Sequence, residues 1–67
     1  MSYIKIRKLD DAVIGHNAQS LNPQLADGFY EVAKNPPPVF SPHWTQNKWL
    51  YVAITDSFTD TQTPMTW

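Results

Sequence analysis

The chain has 67 residues, no cysteine and a formal charge of −1; that length holds one domain at most and buries only about 60% of the surface its unfolded form exposes. Disulfides are excluded by composition, and the balanced charge gives no strong electrostatic pull toward nucleic acid or acidic membranes. The longest apolar run, Trp49–Ile54, falls far short of the ~18 residues of a membrane span, and Met1-Ser2-Tyr3 lacks the basic lead into an apolar run that marks a secretory signal.

Tyr3–Leu9 alternates, with Ile4 and Ile6 on one face and Lys5 and Arg7 on the other, which predicts a half-buried strand. Asp10-Asp11 reads as a turn, with solvated, unshifted acids, and Ala12-Val13-Ile14 as a return strand ending at Gly15. Lys5, Arg7 and Lys8 read as a solvated strand face rather than a phosphate-binding strip, because no aromatic residue interleaves them. His16–Asp27 is polar and turn-rich. Asn22-Pro23 could cap a single helical turn that puts Leu21 and Leu25 on one side and stops at Gly28.

Phe29–Ala33 is a strand, with Phe29, Glu31 and Ala33 on one face and Tyr30 and Val32 on the other. Pro36, Pro37 and Pro38 have no amide donors and fixed φ, so they form an extended, polyproline-like spacer. Gln46-Asn47 reads as a tight hairpin turn between Trp44-Thr45 and Lys48-Trp49. Lys48–Thr55 is the strongest strand, apolar on both faces, and a strand of that kind needs cover on both sides. The tail from Asp56 shows no apolar periodicity. It reads as a frayed end or as an extended arm presenting Phe58, Met65 and Trp67 to a neighbour.

Reaction chemistry finds little support. His16 and His43 are the only histidines, without cysteine or close histidine spacing, whereas zinc needs three or four ligands. Ser20, Ser41 and Ser57 lack a nucleophile elbow, and two glycines cannot make a phosphate-cradling loop. No enzymatic activity, metal or cofactor is expected. The proline segment contains no PxxP, since Val39, Phe40 and Ser41 stand three residues after its prolines, so ligand duty for proline-binding domains is disfavoured. Trp44 and Trp49 serve either a small core and protein interface or, exposed on a hairpin, a platform for sugar rings.

GFYEV, then PPPV, then WTQNKWLYVAITD resembles short phage and prophage proteins encoded beside tail-fibre genes. The matching positions are Gly28, Phe29, Tyr30, Val32, Pro36, Pro37, Pro38, Trp44, Thr45, Gln46, Trp49, Val52 and Asp56. The stretch between the prolines and Trp44 is shorter here, and an extra residue separates Gln46 from Trp49. The resemblance implies a tail-associated structural or assembly factor and brings no catalytic residues with it.

Together these readings predict a mainly β fold: a small antiparallel sheet over residues 1–55, with the proline segment across one face, and an extended C-terminal arm over residues 56–67. The expected function is a non-enzymatic virion structural protein of a phage tail, baseplate or fibre attachment, made in the host cytoplasm. A transient fibre-assembly chaperone and a small carbohydrate-binding module are the alternatives. The expected partners are other phage structural proteins in a homo- or hetero-oligomer, because a small core without staples is commonly completed by association. Tyr30, Phe40, Trp44, Trp49, Phe58, Met65 and Trp67 are the expected interface residues.

Overall fold

The alternation of Ile4 and Ile6 becomes strand β1, Ser2–Arg7, in which every second side chain is buried. A computed structural model describes residues 1–67, and all of its regular elements are strands. The fold is therefore mainly β, built as a small antiparallel sheet of three strands with a second sheet of two. In the first sheet β1 lies between β2, Val13–Asn17, and β3, Phe29–Lys34, with order β2-β1-β3. Its register sets Ile4 opposite His16 and Val32, and Ile6 opposite Val13 and Tyr30. The second sheet pairs β4, Asn47–Val52, with β5, Ser57–Pro64.

The two sheets meet where the chain enters β2. Ala12 bridges to Leu50, and the Tyr51 amide donates to the Asp11 carbonyl at 2.9 Å. Between them lie Ile4, Ile6 and Val13, at most 2% exposed, with Tyr30, Val32, Phe40, Trp44, Trp49, Tyr51 and Phe58 packed around them. Small aliphatic residues thus form the centre and half-buried aromatic rings form the wall. The proline segment contributes by laying Phe40 against this centre, as the sequence predicts.

Several local expectations change. The return strand does not stop at Gly15 but continues to Asn17. No helical turn forms at Asn22-Pro23. Asn22 takes a left-handed φ of 51°, whereas a helix cap uses the extended region. The turn lies further on, where the Gln24 amide donates to the Asp27 carboxylate at 2.8 Å and the Asp27 amide to the Gln24 carbonyl at 3.0 Å. The peptide bonds before Pro36 and Pro42 are cis.

The hairpin expected at Gln46-Asn47 is also displaced. Trp44-Thr45-Gln46 is itself a turn, closed by the Gln46 and Asn47 amides on the His43 carbonyl. The strand predicted to run to Thr55 ends at Val52. Ala53–Asp56 is the true hairpin connection, with Asp56 at φ 49° and its amide bonded to the Ala53 carbonyl. Beyond it, β5 pairs along β4 within the same chain, so Ser57–Pro64 belongs to the folded unit. The radius of gyration, 11.2 Å, matches the ~11 Å of a fully compact chain of this length.

Candidate functional site

Five of the seven expected interface residues, Tyr30, Phe40, Trp44, Trp49 and Phe58, line the inner wall. Phe40 meets Trp49 at 5.1 Å and Phe58 at 5.3 Å between ring centroids, both edge to face. That geometry puts the positive ring edge on the negative π face. The Trp49 indole donates to the Pro42 carbonyl at 2.8 Å, which anchors the proline segment to β4. Tyr30 lies edge-on to Tyr51 and donates its hydroxyl to Asp11 at 2.9 Å. Burial, aided by the Asp11 carboxylate, pushes the Tyr30 phenol up to about 12. Tyr51 donates to Asp56 at 2.7 Å, which raises its phenol; Lys34 first, then Tyr51, lowers the Asp56 carboxyl.

Trp44 stands at the opposite end of this wall and gathers a separate group. His43 lies 4.9 Å from it and tilted by 35°, His16 lies 6.3 Å away edge-on, and Trp67 lies 5.8 Å away. Beside Trp44 opens a cleft of about 260 Å³, lined by Ile4, Phe40 and Trp44 and by Pro37, Pro38 and Val39 of the proline segment. Ser2, His16 and His43 supply its polar groups. The Thr45 amide donates to His43 Nδ1 at 3.2 Å. The Thr45 hydroxyl lies closer still to the same nitrogen, at 2.8 Å, so Thr45 occupies Nδ1 and Nε2 is the free ring nitrogen.

The register of β1 and β2 positions His16, since its partner Ile4 is buried in the core. Sequence spacing alone keeps the two histidines apart, and the structure brings both to one tryptophan. The signal that could have found this is the pairing of β1 with β2, which returns His16 to the start of the chain beside Ser2. Among the remaining expected interface residues, Met65 is half-buried, with its amide on the Gln46 carbonyl at 3.1 Å. Trp67 remains 68% exposed at the edge of Trp44.

The charged residues are engaged in holding the fold. Asp10 accepts from Arg7 Nε at 3.0 Å, Arg7 Nη2 at 2.7 Å and the Ala12 amide at 3.2 Å, and pairs with Lys48 Nζ at 2.7 Å. This corrects the expectation of a solvated, unshifted acid. The Arg7 hydrogen bonds hold the Asp10 carboxyl well below the usual carboxylate range, against burial, with Lys48 and the Ala12 amide helping. Lys8 donates to the Leu25 carbonyl and Lys5 stacks over Phe29. Lys5, Arg7 and Lys8, read from the sequence as a solvated strand face, thus all have partners inside the chain. Nowhere do three or more His, Asp or Glu side chains gather in a way that could hold a metal ion. Comparison with protein-family models, with curated proteins and with solved structures finds no significant match to this chain.

Proposed function

We propose that this chain is a non-enzymatic structural component of a phage virion, seated at the tail, baseplate or fibre attachment, where it fits one protein against another. The observation that carries an assembly role is the set of large apolar side chains left outside the fold. Leu9, Leu25, Val39 and Ile54 are 87 to 96% exposed, while only five residues of the 67 are buried. Each such side chain gains roughly 1.5–3 kcal/mol when a neighbouring surface covers it. The phage setting rests on the resemblance of the Gly28–Asp56 segment to tail-fibre-associated proteins. In this reading its partners are other virion proteins, it needs no cofactor, and it is made in the host cytoplasm before incorporation.

Mass spectrometry of purified particles from a phage that encodes the chain tests this. Stoichiometric recovery in the particle is the expected result. A protein abundant in the lysate but missing from the particle would overturn the structural role in favour of a transient assembly chaperone. Leu25→Asp and Ile54→Asp should leave stability within about 0.5 kcal/mol, as surface changes generally do, and should lower incorporation.

A further inference from the structure

We propose that the cleft beside Trp44 is a binding site for a neutral, hydroxylated ring, a single pyranose residue of a glycan. The inference goes beyond the assembly role and does not depend on it. Ligand size comes first. At about 260 Å³ the cleft falls just below the roughly 300–1,000 Å³ of sites for drug-sized molecules, so it suits one ring and little more.

Ligand charge comes next. No Asp, Glu, Lys or Arg lines the cleft. A phosphate or carboxylate finds no fixed cation there, and an amine finds no carboxylate. The Asp10 cluster and the Lys34–Asp56 pair use their charges elsewhere.

The polar groups then select among neutral ligands. Ser2 is only 7% exposed, yet its hydroxyl has no partner within the chain and is not sealed from solvent, so the cleft that Ser2 lines is its route to a partner. His43 has Nδ1 engaged by the Thr45 hydroxyl at 2.8 Å and the Thr45 amide at 3.2 Å, which leaves Nε2 as the ring nitrogen open to a ligand. His16 lies edge-on to Trp44 at 6.3 Å and also lines the cleft. Three groups with hydrogen-bonding capacity therefore share the cleft lining with the apolar side chains of Ile4, Phe40 and Trp44. A pyranose presents the complementary arrangement, with C–H groups on one face and hydroxyls around the rim. A quaternary ammonium could use the aromatic rings but would make no hydrogen bond with any of the three polar groups. Trp49, the other tryptophan that sequence reading offers as a sugar platform, is tied to Pro42 by its indole N–H and packed on Phe40.

The test is a nuclear magnetic resonance titration of the full isotope-labelled chain with the methyl glycosides of glucose, galactose, mannose and N-acetylglucosamine. Choline chloride and sodium phosphate are run as separate arms. The expected result is millimolar, saturable binding of at least one glycoside, with shifts at Ser2, His16, His43 and the Trp44 indole and none at the Trp49 indole. Ser2→Ala and His16→Ala should each weaken that binding about fivefold, the effect of one hydrogen bond. His16 is exposed, so its variant keeps the fold and the test. Saturation by no glycoside, by choline alone or by phosphate alone would overturn the proposal, as would glycoside binding unchanged in both variants.

Discussion

Replacing Asp10 by Asn tests how the two sheets are held together. The carboxylate joins Arg7 on β1 to Lys48 on β4 and also accepts the Ala12 amide beside the Ala12–Leu50 bridge. Asn keeps the shape and one acceptor oxygen but removes the charge. Fully exposed ion pairs contribute about 0–1 kcal/mol, and hydrogen bonds to charged groups about 1.5–3. The side chains of Arg7, Asp10 and Lys48 are 19%, 22% and 24% exposed, between those limits, so the expected loss is about 2 kcal/mol. A domain of this length has roughly 3–10 kcal/mol in total, so the loss should show clearly in urea unfolding followed by tryptophan fluorescence at neutral pH. The pH dependence gives a second reading. The Asp10 pKa is lowered in the fold from an ordinary value of 3.8. Its contribution is therefore complete above that value and disappears as pH falls through the lower folded pKa, with a slope reaching about 1.4 kcal/mol per pH unit. Wild type and Asp10→Asn should differ by a constant amount above about pH 5 and converge in acid. An unchanged urea midpoint, or parallel pH profiles below pH 4, would refute the argument.

The other predictions concern the centre and the wall. Ile6→Val should lose about 1 kcal/mol and Ile6→Ala about 2–5, because Ile6 is completely buried; Leu9→Ala, at an exposed turn, should shift the urea midpoint little, and equal effects would contradict the packing described. Ultraviolet difference titration of wild type against Tyr30→Phe should isolate a phenol ionising near about 12. Because the folded pKa is raised, its stabilising share is held below the ordinary value of 10.0 and lost as pH rises through the folded pKa; a midpoint at the ordinary value would remove that reading.

What the sequence conveys depends on where the determining contact lies. β1 is legible because its signal is local: Ile4 and Ile6 alternate with charges, and the same side chains become the buried ones. β3 is legible from composition, since aromatic and β-branched residues suit a half-buried pleated surface. β5 is not. Its sequence SFTDTQTP has Phe58 as its one large apolar residue, so a search for apolar periodicity sees an unstructured tail. Order comes from the neighbouring strand and from side chains that bond to backbone. Thr61 Oγ1 donates to the Lys48 carbonyl at 2.7 Å, and Phe58 closes against Phe40 and Tyr51. The pairing slips between Asn47 and Trp49, where Gln62 turns to φ 58° and gives its amide to Asp60 at 2.8 Å. Polar residues that look disordered in a linear reading are the ones that shape this bulge.

The same reasoning explains why the cleft is harder to see than the wall. Rings that pack together announce themselves as a cluster of aromatic residues, and Phe40 and Trp49 stand close in sequence as well as in space. Ser2, His16 and His43 are ordinary polar residues in three separate segments. They converge because β2 returns antiparallel to β1 and because the Trp49–Pro42 hydrogen bond fixes the far end of the proline segment. Their meeting is a consequence of register and anchoring, both non-local. Trp44 joins the two readings, since it packs on the aliphatic centre with the other rings of the wall and also meets His16, His43 and Trp67.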